Sequence, residues 1–313
     1  MIPSLSSLHP TRREFVSRTA AGAVALAVSP ALRAAPARPE FDVGFSLYGM
    51  KTLPLAEAVA TCARIGYRNV ELTLDAGYPT EPSKFDAAAR TELRRQLQQL
   101  GLTVSGLMLN LNLADSKLHA NNLAAIKTAA QLAHDVQPSA PPPIETVTRG
   151  RPAEWEALKA GMVERAHAWG DAAAAGRVRI VIKSHVSGAV HLPGQLRWLL
   201  EQAGRPALRA AYDYSHYEAR GLPTAETWRT LASLTDFVHV KDNVGDAQKP
   251  KFVLPGEGRT DYGALFRVFR STGYRGPVVV EVSSQVFNVP GYDPVRAAEK
   301  SYAALTKGVA ASR

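Results

Sequence analysis

Two apolar, β-type runs in this 313-residue chain carry pairs of residues that could do acid–base chemistry. Residues 177–185 contain Lys183 and His185 two positions apart, so both side chains lie on the same face of a strand. Residues 237–242 place His239 and Lys241 in the same relation. An imidazole beside an ammonium group can transfer protons or stabilise negative charge, so both runs are candidates for chemistry on a small molecule.

Carboxylates occur in further runs of the same type. Asp213 ends the run 208–213, and His216 follows three residues later. Glu71 lies in the run 69–74.

Glu281 lies in a run that otherwise consists of valines. A buried carboxylate costs several kcal/mol, on the order of a lost ion pair, unless it is paired or bound to a cation. Its partner could be Lys183, Lys241 or Arg179, in an ion pair that is purely structural. Because four strand ends supply such groups together, a functional site is favoured over separate structural pairs.

These runs belong to a regular alternation of short β-type segments and longer Ala- and Leu-rich helical patterns. Such alternation is typical of repeated βα units around a parallel sheet. The strand candidates are 41–47, 69–74, 103–109, 143–148, 177–185, 208–213, 237–242 and 277–283. The helical patterns are 55–65, 87–100, 118–134, 152–175, 192–203, 224–234, 262–271 and 294–305.

The alternation predicts an α/β fold, a single (β/α)8 TIM barrel over residues 38–313. No Gly-rich phosphate-binding turn follows the first strand, which disfavours an open, doubly wound sheet. In such a barrel, the functional groups lie at the carboxyl ends of the strands. We therefore expect the side chains above to share one mouth, which Glu145 on the fourth strand and Tyr48 after the first could also line.

The first 37 residues have the layout of a twin-arginine signal peptide. Arg12 and Arg13 precede Phe15, an Ala-rich apolar run follows over 19–32, and small residues at 35–37 predict cleavage after Ala37. The sequence therefore predicts export to the periplasm by the twin-arginine translocase.

The formal net charge of +9 includes the four arginines and one glutamate of residues 1–37. The other positive charges are scattered along amphipathic segments without interleaved aromatic residues, so nucleic acid is not an expected partner. No apolar run reaches the roughly 18 residues of a membrane helix, so no membrane contact is expected after export. Cys62 is the single cysteine, which excludes an intrachain disulfide. The oligomeric state is not fixed by these features.

Nearly all of the mature sequence resembles the xylose isomerase-like barrel superfamily, which includes sugar isomerases, ketose 3-epimerases, hydroxypyruvate isomerase and inosose dehydratase. The segments that carry the resemblance are DYSH at 213–216, VHVKD at 238–242, LPGEGRTDY at 254–262 and GYRGPVVVEV at 273–282. The resemblance implies a small carbohydrate substrate and a reaction at a carbon next to a carbonyl group.

The resemblance also implies one divalent metal ion (Mn, Mg, Co or Zn), held by a Glu on the fifth strand, an Asp on the sixth, a His on the seventh and a Glu on the eighth. Asp213, His239 and Glu281 match the last three positions. Lys183 stands where the fifth-strand Glu is expected, and its ammonium group removes a ligand and repels a dication.

Three outcomes of this replacement remain open. The site could keep a weaker metal through the remaining three ligands, helped by His185. Lys183 could act as a base or an oxyanion partner with a lowered pKa. Finally, a Lys183–Glu281 ion pair could take the place of the metal in a site that only binds sugar.

The first functional hypothesis is an exported isomerase- or epimerase-type enzyme that abstracts a proton next to a carbonyl of a free or oxidised sugar. The alternatives are a lyase acting on 3-keto glycosides and a noncatalytic carbohydrate-binding barrel. Phosphodiester cleavage is disfavoured because the strand ends offer too few ligands for a multi-metal cluster. The residues assigned to catalysis are Lys183, Glu281 and His185, and those assigned to substrate contacts are His216, Glu71, Lys241 and Glu257.

Overall fold

The computed structural model describes residues 41–313, so the predicted signal peptide, residues 1–37, lies outside the described residues. Its barrel strands are β1 Val43–Ser46, β2 Asn69–Thr73, β3 Thr103–Met108, β4 Ile144–Val147, β5 Ile180–Lys183, β6 Leu208–Asp213, β7 Thr235–Val240 and β8 Val278–Val280. Its helices are α1 Leu55–Ile65, α2 Ala87–Leu100, α3 His119–Val136, α4 Trp155–Ala175, α5 Pro193–Ala203, α6 Tyr214–Glu218, α7 Thr224–Leu231, α8 Tyr262–Ser271, α9 Ser284–Phe287 and α10 Pro294–Ala311.

The eight strands form a closed parallel barrel in which each strand pairs with its neighbours in the chain. Closure is made by β1 and β8, with Val43 opposite Val278. Helices lie between successive strands, as the alternating pattern predicted. The predicted α/β fold, a single (β/α)8 TIM barrel, is confirmed for the described residues.

Local signals explain why several predicted boundaries are confirmed. The side chain of Asp86 accepts a hydrogen bond from the backbone N–H of Ala89 and so begins α2. Helices α1 and α2 end at Gly66 and Gly101, whose φ angles of 113° and 66° lie in the left-handed region that favours glycine. The structure also reproduces the predicted bounds of β6 and α8.

Other elements differ from the prediction. Strands β7 and β8 end at Val240 and Val280, so Lys241 and Glu281 follow their strands directly. The short helices α6 and α9 were not predicted, nor was the antiparallel pair formed by Asp242–Asn243 and Phe252–Val253. Segments of two to five residues are too short to show a hydrophobic period.

An apolar layer closes the barrel interior below the predicted site. Val181, Ala211, Phe237 and Val279 form this layer, and all four are fully buried. Inward-facing residues alternate along a strand, so the next inward position lies two residues further along the chain. These next positions are all polar: Lys183, Asp213, His239 and Glu281. Among the described helices, none has the length and apolar character needed to cross a membrane.

Candidate functional site

The predicted polar residues meet at the carboxyl ends of the barrel strands. Lys183 is the last residue of β5, and Asp213 is the last residue of β6. The register places Asp213 opposite His239 on β7, and His239 opposite Val279 on β8. Glu281, two residues after Val279, therefore stands over the same part of the barrel.

Lys183 lies at the centre of this group, and its side chain is only 2 % exposed. Its Nζ is 2.9 Å from Oε2 of Glu281, 2.9 Å from Nδ1 of His239 and 3.3 Å from Oε1 of Glu145. Burial alone would lower the pKa of Lys183, but the carboxylates of Glu145, Glu281 and Asp213 outweigh burial and raise that pKa. Lys183 is therefore an ammonium ion, which opposes the hypothesis of a lysine base with a lowered pKa.

Lys241 brings a second ammonium group to the same carboxylates. Its Nζ donates to Oε2 of Glu281 at 2.6 Å and also to Oδ2 of Asp213. Burial would raise the pKa of Glu281, but the two lysines outweigh it and hold that pKa well below its usual range. Glu281 is thus a weak base whose main effect is to hold two cations.

His239 is oriented by Glu71, which lies across the barrel. Nε2 of His239 is 3.0 Å from Oε2 of Glu71, and both side chains are fully buried. Burial alone would lower the pKa of His239, whereas Glu71 and Glu281 raise it, and the pKa is raised overall. Nδ1 of His239 and Nζ of Lys183 are 2.9 Å apart, so one proton lies between them, and it belongs to the lysine because lysine is the more basic group. The contacts are satisfied when Nε2–H of His239 donates to Glu71 and Nδ1 accepts from Lys183.

His185 and His216 form a neutral pair beside the lysines, with ring centroids 4.3 Å apart. Burial, together with Lys183 and Lys241, lowers the pKa of His185 to about 4. Burial and Lys241 likewise lower the pKa of His216 well below its usual value. Nδ1 of His185 accepts a hydrogen bond from the backbone N–H of Ser187 at 3.2 Å, so its proton is on Nε2.

Because the pKa of His185 is lowered, we expect the free energy of unfolding to fall in mild acid. Below the ordinary pKa of about 6.5, an unfolded His185 takes up a proton, whereas the folded protein resists protonation down to a pKa of about 4. The free energy of unfolding therefore falls as pH falls through this window. Between pH 7 and pH 4.5, we expect the wild type to lose about 2–3 kcal/mol more than His185→Gln. Urea unfolding at both pH values measures this, and equal losses in the two proteins would contradict it.

A cavity of about 400 Å³ opens above these groups. This volume is within the range of about 300–1,000 Å³ that small-molecule sites occupy. The predicted residues that line it are Lys183, His185, His216, Lys241, Glu281, Glu145 and Tyr48. The structure therefore brings these seven together at one polar cavity.

Glu145 on β4 lines the same cavity and is 1 % exposed. Its Oε1 accepts no hydrogen bond from any described residue, although Nζ of Lys183 lies 3.3 Å away. Burial raises the pKa of Glu145, and the opposing effects of Lys183 and His239 do not cancel it. The sequence placed Glu145 at the mouth but gave no sign of this desolvated state.

Two residues predicted to contact substrate do not line the cavity. Glu71 is fully buried beneath it and contacts His239, because β2 faces β7 across the narrow barrel interior. Glu257 is exposed, and its carboxylate pairs with Lys300 at 3.1 Å on α10. Neither role was visible from strand periodicity. Among the lining residues to which the sequence assigned no role are Asn110, Arg149, Phe252 and Gln285.

The acceptor atoms have separations compatible with a metal ion. In the described part of the chain, Asp213, His239 and Glu281 offer ligand atoms that lie within 4.8 Å of one another, as do Glu71, Glu145 and His239. The lysines, however, already donate to Asp213, Glu281 and Nδ1 of His239. In the first group, a dication would have to displace two buried ammonium ions. The second group shares His239 with the first, and Oε1 of its Glu145 lies 3.3 Å from Nζ of Lys183, so a dication there would meet the same ammonium ion. The donor set therefore does not fit a divalent metal in this arrangement.

The fold and the site define a class: an α/β barrel with a small-molecule cavity at its mouth, lined by several ionisable groups. A family model described as "Xylose isomerase-like TIM barrel" matches residues 59–307. The chain belongs to this family, as its motifs predicted.

Relatives and solved structures agree with this assignment. Inosose dehydratase of Geobacillus kaustophilus (strain HTA426) is 22% identical over 259 residues, which cover 73% of this chain and 80% of that protein. The structure of the E. coli 3-keto-D-glucoside 4-epimerase YcjR has a TM-score of 0.67 and 16% identity, covering 85% of this chain and 99% of that one. The IolI protein with a bound zinc atom has a TM-score of 0.71 and 17% identity, with coverage of 85% and 99%.

Proposed function

We propose that this chain is an enzyme that removes a proton from the carbon next to the carbonyl group of a sugar. The observation that carries the proposal is Glu145, a buried carboxyl group at the cavity wall with a raised pKa, whose Oε1 accepts no hydrogen bond from described residues and lies 3.3 Å from Nζ of Lys183. A carboxylate with a raised pKa is a stronger base than an ordinary one. Glu145 therefore replaces Glu281 as the base in our assignment.

The positive groups beside Glu145 are suited to the charge that develops in this reaction. When the C–H electron pair forms a carbon–carbon double bond, the carbonyl oxygen becomes an oxyanion. Lys241 donates to two acceptors among the described residues, so one of its three N–H groups is left for this oxygen. Nε2–H of neutral His185 is a second donor, and donors fixed before the reaction lower its barrier.

The fate of the proton decides the type of reaction. If the Glu145 carboxyl group gives it to the former carbonyl carbon, while the proton of the neighbouring hydroxyl group passes to the oxyanion, the product is an isomer. If another group delivers a proton to the opposite face of the original carbon, the product is an epimer. If a C–O bond on the next carbon breaks instead, the oxygen takes the bonding electron pair and the proton held by Glu145, leaves as an alcohol, and the reaction is that of a lyase. The likeness to a 3-keto-D-glucoside 4-epimerase and to inosose dehydratase supports free or oxidised sugars as substrates.

A deuterium-exchange experiment tests the proposal. The protein is incubated in D₂O with a panel of free ketoses and 3-keto glycosides, and proton NMR follows the signal of the carbon-bound hydrogen next to the carbonyl. We expect loss of this signal for at least one sugar. A sugar that binds in the cavity without exchange would instead support the noncatalytic binding barrel, whose Lys183–Glu281 ion pair is present at 2.9 Å.

We also propose that the protein is exported to the periplasm by the twin-arginine route. The support is the arrangement of Arg12, Arg13 and the Ala-rich run that follows them. Replacing both arginines by lysine is expected to keep the uncleaved chain in the cytoplasm, with Arg13→Lys alone as a milder control. Cell fractionation and the mass of the periplasmic product measure this, and normal export of the double variant would contradict it.

A further inference from the structure

The place at which a metal would meet its ligands is filled by a side chain of the protein itself. Nζ of Lys183 is 2.9 Å from both Nδ1 of His239 and Oε2 of Glu281. These two residues belong to the group whose ligand atoms lie within 4.8 Å of one another. The ammonium ion of Lys183 thus contacts two of the acceptor atoms that a metal ion in this group would need as ligands.

Lys241 supplies a second ammonium ion to the same group of acceptor atoms. It donates to Asp213, the third member of the group, and shares Oε2 of Glu281 with Lys183. The two lysine side chains are 2 % and 3 % exposed, so neither can leave the site without a large rearrangement. Together they carry two positive charges, the same charge as a divalent metal ion.

We propose that this site works without a metal, with Lys183 as a built-in cation and Lys241 as its partner. The charges support this arrangement, because the two ammonium ions lie against the carboxylates of Asp213, Glu281 and Glu145. The contacts support it as well, since each metal-facing acceptor of the group already has a donor. The inference concerns binding of metal ions only, so it stands whether or not the chain is an enzyme.

The test uses metal alone as the probe. Wild-type protein and Lys183→Glu are dialysed against Mn²⁺, Co²⁺ or Zn²⁺, and bound metal is counted by elemental analysis after removal of free ions. We expect less than about 0.1 ion per wild-type chain and about one ion per chain of the variant, which gains a fourth ligand, the third that is anionic. Lys127→Glu makes the same charge change at an exposed position on α3 and is expected to behave as wild type.

Thermal unfolding provides a second readout. Lys183→Glu adds a carboxylate and leaves Lys241 as the one ammonium ion among these acidic groups, so we expect its Tm to be low in chelator and to rise when metal is added. The wild-type Tm should not respond to metal. Lys183→Gln, which adds no charge, covers the case in which Lys183→Glu does not fold, and it should bind more metal than the wild type.

Two results would overturn the inference. One is a wild-type protein that binds one ion per chain and loses it in Asp213→Ala. The other is an absence of metal from both folded Lys183 variants, because Lys183 would then not be what excludes the ion. Neither result depends on the deuterium-exchange assay, so failure of this inference is distinguishable from failure of the proposed activity.

Discussion

Replacing Glu281 by alanine is expected to lower the free energy of unfolding by about 3–5 kcal/mol. Oε2 of Glu281 accepts from Lys183 at 2.9 Å and from Lys241 at 2.6 Å, and both lysines are buried. Removing the carboxylate leaves Lys183 with Glu145 and Lys241 with Asp213 as their remaining anionic partners. The cost is therefore that of buried charge that has lost part of its compensation, which exceeds the cost of a lost surface contact.

Two variants make this measurement specific. Glu281→Gln keeps one acceptor oxygen and should lose less stability than the alanine variant. Glu299→Ala removes an exposed pair with Arg64, 3.5 Å apart, and should cost less than about 1 kcal/mol. Urea unfolding at pH 7 compares all three with the wild type. A Glu281→Ala cost as small as that of Glu299→Ala would show that the lysines do not depend on this carboxylate.

Replacing Glu145 by glutamine is expected to slow the deuterium exchange by about 10²- to 10⁴-fold. Glutamine has nearly the same shape but cannot accept a proton from carbon at neutral pH. Because Glu145 is assigned to proton transfer, the loss should appear in kcat, whereas KM should change little. Steady-state kinetics on the sugar that gives the strongest exchange measures both constants.

Glu257→Gln is the matched control for this variant. Glu257 is exposed, pairs with Lys300 and lies outside the cavity lining, so the same change there should leave the rate unaltered. Circular dichroism before and after heating establishes that both variants are folded. A Glu145→Gln protein that is folded and exchanges at the wild-type rate would contradict the assignment of Glu145 as the base.

Both predictions follow from one feature, a cluster of charges buried at the strand ends. A buried ion pair adds little net stability over an apolar core, but loss of one partner is costly. The cluster combines Lys183 and Lys241 with Asp213, Glu281 and Glu145. It therefore contributes more to the electrostatics of the cavity than to the stability of the barrel.

Much of the fold could be predicted because its signals are local. The N-cap at Asp86 and the left-handed glycines 66 and 101 lie within a few residues of the helix ends that they fix. The alternation of β-type and helical segments similarly fixes the order of the elements. The same patterns missed α6, α9 and the short hairpin, which are held by tertiary contacts such as the one between Phe252 and His216, whose ring centroids are 4.9 Å apart.

The candidate site could be predicted only in part. That Lys183, His239 and Glu281 face one mouth follows from the sequence, because alternation along a strand decides which side chains point inward. Which of them are in contact depends on how the barrel closes. Lys183 and Glu281 are 98 positions apart, and Glu71 and His239 are 168 positions apart, so closure of the barrel alone brings each pair together. Burial and the distances between these charged groups then set the protonation of Glu145, Lys183 and Glu281. Both are fixed only when the chain folds.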